Sequence, residues 1–175
     1  MNRWLWWGFG VVSTIAYAFV SLLSYRRVDV HSWDLAIFEQ AVAAYSRFEA
    51  PIVIVKGPGY NILGDHFSPV TALIAPFYRL FPHAQTLLVA QAVLLGLSVV
   101  VLARTAIRHL GPWWGSLIAV LYATSFGMQS AVRVDFHEVA FAVPVLALAG
   151  AAFVDGQWNR VIWWSLPLFF VKEDL

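Results

Sequence analysis

The stretch Ala84–Ala103, AQTLLVAQAVLLGLSVVVLA, decides the fold: it runs for twenty residues without a charge and is closed by Arg104 and Arg108. A helix rises about 1.5 Å per residue, so about 20 apolar residues cover the roughly 30 Å of bilayer hydrocarbon. Working outward, Trp4–Leu23 is a second such run and ends at the Arg26–Arg27 pair. Trp113–Val132 is a third and follows Pro112, a residue suited to a first helical turn because its missing N–H costs little there. Val139–Val154 is shorter and contains Pro144, and a last run from Trp158 to Val171 contains Pro167. Prolines are tolerated in membrane helices because neighbouring groups satisfy the freed carbonyls. The expected fold is therefore all-α. It is a polytopic membrane protein forming one domain over 1–175, with spans at 4–23, 84–103, 113–132, 139–154 and 158–171 and a long outer loop at 24–83.

Composition supports this reading. The chain has 175 residues, 61% of them hydrophobic and 12% charged, with mean hydropathy +0.72. Soluble domains run at about 45–50% apolar and about 25% charged, so a water-soluble enzyme is excluded. Thirteen Phe, nine Trp and six Tyr exclude disorder. A net charge of +1 gives no sign of nucleic-acid binding. With no cysteine there is no disulfide, thiolate nucleophile or cysteine zinc site.

Charge and tryptophan set the expected orientation. With a cytoplasmic N-terminus, Arg3, Arg104, Arg108 and Arg160 lie inside against Asp155 alone, and the other nine acids lie outside. The short 104–112 turn then obeys the positive-inside rule, while loops of about 60 residues, such as 24–83, largely escape it. Trp4, Trp6, Trp7, Trp113, Trp114, Trp158, Trp163 and Trp164 fall in the opening turns of the odd-numbered spans. All are on the inferred inner side, at the depth that indoles prefer. Ala16-Tyr17-Ala18 has the small-x-small form of a cleavage site, but the apolar run continues to Leu23. An uncleaved signal-anchor in a plasma membrane is the expectation.

The outer segment reads as folded. Ser32 is a candidate N-cap, and Leu35, Phe38, Val42 and Tyr45 recur at helical steps between Trp33 and Phe48. Asp34 falls in the first turn of that helix, where the dipole favours an anion. Residues 51–55 are β-prone, 56–61 are turn-rich, and Val70–Phe81, interrupted by Pro76, is too short to span and expected to lie at the interface.

No hydrolase signature is present. His137-Glu138 lacks the second histidine of a zinc protease, and there is no Gly-x-Ser-x-Gly elbow or glycine-rich phosphate loop. What remains are ionisable groups at span ends on the outer side: Asp34; Asp65 and His66; Arg133, Asp135, His137 and Glu138; Lys172, Glu173 and Asp174. Four such residues within the six from Arg133 to Glu138 point to a wet cavity, because a charge in hydrocarbon costs about 2.5–3.5 kcal/mol even on the gentlest scale. A solvated loop explains them as well. Asp65, His66, Asp135 and His137 offer oxygen and imidazole ligands for a divalent metal ion, although no spacing defines a geometry.

The stretches 31–40 (HSWDLAIFEQ), 63–69 (LGDHFSP), 135–138 (DFHE) and 171–175 (VKEDL) resemble, in this order, a bacterial family of predicted membrane proteins, domain-of-unknown-function family 2079. Ala36 stands where that pattern has glycine. The family in turn resembles the C-type-superfold glycosyltransferases, which use polyprenyl-phosphate sugars. The resemblance implies an acid in the first outer loop and another after span three, positions that Asp34 and Asp135 occupy. It also implies more spans than five, so a longer chain is expected. On this basis Asp34, Asp135 and Glu138 are the catalytic candidates, with Asp34 the general base. Arg133 and Lys172 would hold phosphate, possible metal ligands are those above, and Glu173 and Asp174 are further candidates. The alternative is a transporter or lipid-handling subunit using the same cluster.

Overall fold

The computed structural model describes residues 3–27 and 33–172. Among these residues the regular structure is helical, with no strand and only a single antiparallel bridge, Ile52 to Asn61. The β-prone 51–55 segment thus makes one bridge and then a 3-10 turn, Ile54–Lys56, where Gln40 Oε1 accepts from the Ile54 and Val55 N–H groups that a ladder would use.

Two helical stretches are long and apolar enough to cross a membrane, Trp4–Arg26 and Gln85–Arg133. The first belongs to α1 (Arg3–Arg26). The second comprises α4 (Gln85–Ala123) and α5 (Phe126–Arg133), and it is preceded by α2 (Asp34–Ser46) and α3 (Ala75–Leu80). After it come α6 (Ala142–Val154) and α7 (Trp158–Ser165).

Helix α4 is a hairpin. At Gly111 the backbone adopts φ 79°, ψ 170°, a conformation a side chain would resist, and Pro112 starts the second arm. The Tyr122 hydroxyl donates to Ser98 Oγ at 3.0 Å, a pair that a straight helix would hold about 36 Å apart. Gly115 packs onto the Ile107 backbone across the turn. The first arm outruns its expected end at Ala103 and continues through Arg104 and Arg108, since arginine is a good helix former whose head can reach the interface. The expected 113–132 helix breaks at Thr124–Ser125, where Ser125 Oγ accepts from the Met128 N–H and recaps the chain as α5. The 139–154 span opens as a 3-10 turn, Glu138–Phe141, and the 158–171 span changes to 3-10 geometry over Leu166–Phe170, around Pro167.

Successive segments alternate in direction. Helix α1 crosses the first arm of α4 antiparallel, with Gly10 against Val100 and Gly96 against Thr14. Gly96 is required there, because a Cβ would collide with the threonine hydroxyl. The second arm runs parallel to α1: Tyr17 hydroxyl donates to Ala123 O at 2.6 Å and Ser21 to Val132 O at 2.9 Å. Helix α6 runs alongside the first arm, from the Gln91–His137 contact to the Arg108–Asp155 pair. Val171, after the last turn, is buried in the same cluster as Leu87, Phe136 and Phe38. Residues 34–38, 87–91, 135–141 and 168–172 therefore meet at one end of the helices.

Helix α2 packs its Leu35, Phe38 and Val42 face into that cluster. Trp33 occupies its N-cap position and makes no side-chain cap bond, while Ser32, expected as the cap, lies outside the described residues. The 70–81 stretch forms a 3-10 turn, Pro69–Ile74, followed by α3, with Pro76 in the first helical turn where no N–H is needed.

Candidate functional site

Gln91 builds the site from beneath. It is an amide in an otherwise apolar arm of α4, 2% exposed. Its Nε2 donates to Ala131 O at 2.9 Å and to Asp135 O at 3.5 Å, and its Oε1 accepts from the His137 N–H at 2.9 Å. One side chain thus holds the 131–137 turn and fixes where His137 and Glu138 emerge. A buried amide left unpaired would cost about 1–3 kcal/mol, so these bonds specify a single turn conformation.

From that turn a chain of alternating acidic and basic side chains runs across three separate segments. His137 Nε2 lies 3.4 Å from Asp34 Oδ2 at the start of α2, and His137 Nδ1 lies 2.7 Å from Glu138 Oε2. Glu138 Oε1 is 3.6 Å from His66 Nδ1, and His66 Nε2 is 3.6 Å from Asp65 Oδ2. Lys56 ends the series with Nζ 2.9 Å from the same Asp65 oxygen. Phe38 packs between the two imidazoles, 6.2 Å from each ring, and meets Phe136 edge-on at 5.6 Å.

Burial divides this chain. Glu138 is fully buried, whereas Asp34, Asp65, His66, His137 and Lys56 each expose 29–38% of their side chains. Neither Glu138 oxygen makes a hydrogen bond, and neither imidazole Nδ1 does either. The 2.7 Å approach of His137 to Glu138 is therefore a close ionic contact without hydrogen-bond alignment. A buried carboxylate in this state depends on its imidazole neighbours, because an isolated ionised group would be driven to its neutral form.

The resulting proton affinities follow. The Glu138 carboxylate raises the His137 pKa above the ordinary 6.5; burial opposes this, Asp34 adds to it and the Lys172 charge subtracts. Burial pushes Glu138 up, but His137 outweighs it and the net direction is down. Lys56, and then Tyr60, hold Asp65 below its usual range, and Asp65 raises Lys56 in return. The His137 imidazole thus stands between two carboxylates, Asp34 and Glu138.

Of the residues expected from sequence, Asp34, Asp65, His66, His137 and Glu138 come together, and Lys172 lies within electrostatic reach of His137. Asp135 is buried, and the group of its motif that faces Asp34 is His137. Arg133 is exposed in the last turn of α5 and does not join the charge chain. Glu173 and Asp174 lie outside the described residues. Among the described residues, no group of three or more His, Asp or Glu side chains is arranged to hold a metal ion, the set Asp65, His66, Asp135 and His137 included. The two imidazole Nδ1 atoms face the two oxygens of Glu138. Sequence reasoning missed Gln91 and Lys56. The signal for Gln91 was an amide inside a charge-free run, and for Lys56 that it is one of only two lysines in the chain.

The model of the DUF2079 family, described as predicted membrane protein, matches residues 25–175. The chain belongs to that family. All the charge-chain residues of this DUF2079 protein, together with Gln91 and Lys172, fall within the matched region. No curated protein and no solved structure matches it.

Proposed function

We propose that this DUF2079 chain is the site-bearing part of a glycosyltransferase-like enzyme of the bacterial plasma membrane. It would move a sugar from a polyprenyl-phosphate donor to an acceptor at the outer face. The five helical segments would all cross the bilayer, with the N-terminus inside. Their alternating directions support that topology, as does the gathering of Arg108, His109 and Asp155 at the opposite end. The observation that carries the reading is the Asp34–His137–Glu138 series, drawn from segments a hundred residues apart in sequence and placed where helices end.

In this mechanism Asp34 Oδ2 accepts the acceptor hydroxyl proton as the oxygen attacks the anomeric carbon. The anomeric carbon–oxygen bond to phosphate breaks, and its electron pair leaves with the lipid phosphate. His137, held by Glu138, faces Asp34 and steadies its carboxylate, and the proton passes from Asp34 to water. Lys172 and Lys56 offer positive charge to the departing phosphate, a preorganised contribution that is often the largest catalytic term. A lipid-borne donor suits a site at helix ends, where the tail stays in hydrocarbon and the phosphate meets charge.

The test is Asp34→Asn in the full-length protein, reconstituted in vesicles and assayed for turnover of lipid-linked sugar. Loss of a general base lowers the rate by about 10²–10⁴-fold. An unchanged rate removes Asp34 from this role. Substrate-dependent proton flux without sugar transfer would favour the transporter reading.

A further inference from the structure

A second charged feature lies away from the Asp34–His137 site, between the C-terminus of α2 and α3. A cavity of about 540 Å³ there is lined by Ser46, Arg47, Phe48, Tyr78, Arg79 and Pro82, among others, and no acid lines it. Both guanidinium groups are exposed. Arg47 shares its charge with Glu49 at 2.8 Å. Arg79 has no carboxylate partner among the described residues and lies 5.6 Å above the Phe48 ring. Glu39 accepts from the Tyr78 hydroxyl on the cavity wall at 3.0 Å, so the positive charge left without an acid there is that of Arg79.

Phe48 is the second observation. It has φ 61°, and no other non-glycine residue among those described has a positive φ. Its side chain is 88% exposed. A bulky residue in the left-handed region is uncommon, and here the end of a helix fixes it. Here the conformation closes α2, the Phe48 N–H donating to Tyr45 O at 2.9 Å and the Glu49 N–H to Ala44 O at 3.0 Å, and it sets the exposed ring beneath Arg79.

The third observation is position. Helix α3 ends at Leu80, and the membrane-crossing stretch begins at Gln85. Leu73, Phe77, Leu80 and Phe81 are 63–72% exposed, and Leu73, Phe77 and Phe81 line a separate apolar groove with Val89 and Val93 of α4. An apolar face at the mouth of a membrane helix lies at the acyl boundary, which places the neighbouring basic groups at headgroup depth.

We propose that Arg47, Arg79 and Phe48 form a seat for the headgroup of an anionic phospholipid, with the phosphate between the guanidinium groups and the Phe48 ring at the acyl boundary. Guanidinium binds phosphate in a bidentate, directional way. The charge-stacked ring keeps Arg79 oriented before the lipid arrives, which lowers the ordering cost of binding. The seat is independent of any sugar-transfer chemistry.

Native mass spectrometry of the full chain, released from detergent micelles, tests this with phosphatidylglycerol, phosphatidylcholine of matched chains, and inorganic phosphate. Wild type retains phosphatidylglycerol in preference to phosphatidylcholine. Arg79→Gln weakens that retention about fivefold, the worth of one basic residue at an anionic surface, and Arg47→Gln with Arg79→Gln weakens it further. Phe48→Ser lowers retention of the lipid with both arginines intact. Arg160→Gln, at the opposite end of the helices, leaves it unchanged. Equal retention of the two lipids overturns the proposal. So does inorganic phosphate binding as tightly as the lipid, or an Arg160→Gln loss as large as that of Arg79→Gln. Arg79→Gln alone, at an exposed position, remains decisive if the double variant misfolds.

Discussion

At one end of the helices Asp155 takes both Arg108 and His109 at a partly exposed turn; at the other, Glu138 lies fully buried between His66 and His137. Both are a single acid flanked by two basic side chains. At Asp155 the partners supply aligned hydrogen bonds, and the acid serves as a latch between the α4 hairpin turn and the end of α6. At Glu138 the neighbours approach closely without hydrogen bonds, and the carboxylate stays uncompensated except by charge. A structural ion pair satisfies its own polar atoms. A site leaves some of them for another molecule or for a moving proton.

The largest effect expected from this contrast is at Glu138. Replacing it with alanine leaves two imidazoles facing an empty pocket and breaks a buried charged contact, a loss of about 3–5 kcal/mol. Thermal unfolding in detergent, followed by helical circular dichroism, measures it. A melting temperature shifted no more than that of Asp155→Asn would make the two ends equivalent and dissolve the distinction.

Gln91→Leu comes next. The substitution nearly preserves volume but removes three hydrogen bonds and leaves the His137 N–H unpaired, costing about 2–3 kcal/mol. The same unfolding assay reads the loss. Faster amide hydrogen exchange confined to residues 131–138 is the sharper readout, because it separates a loosened site from a generally weaker bundle.

The smallest effect is in pH dependence, and the two ends differ in sign. The His137 pKa is raised in the folded state, so its contribution is fully present below 6.5 and is lost as pH rises through the folded value. Asp155 is depressed, by His109 and Arg108, so its contribution is present above 3.8 and is lost as pH falls through the folded value. Melting temperature measured between pH 5 and 9 therefore declines on the alkaline side in wild type. The decline flattens in Glu138→Gln, where His137 returns toward 6.5, and persists in Asp155→Asn. A slope unchanged by Glu138→Gln would assign it to another group.

Much of the helical organisation was legible in the primary structure. Charge-free runs named the apolar segments, Pro112 marked the start of the run after the 104–112 turn, and the 33–48 pattern gave a helix at nearly its observed length. Segment ends were less legible. Arg104 and Arg108 looked like a terminus but continue the helix, and the break at Ser125 needed the recapping bond to be seen. At the site, Asp34, Asp65, His66, His137 and Glu138 stood out as ionisable groups near apolar ends. Asp135 stood out as Asp34's counterpart, and the structure buries it and brings His137 of the same motif to Asp34.

Amino-acid order alone determined that the chain would be helical and rich in apolar surface, and that its charges would collect at the ends of apolar runs. Both follow from local spacing and the cost of placing charge in hydrocarbon. Which charges meet was decided only by packing. Gln91 reaches across to a turn more than forty residues away, and Phe38 sets the gap between two histidines from different segments. No periodicity records such contacts, because they depend on how the α4 hairpin closes and at what height each helix stops.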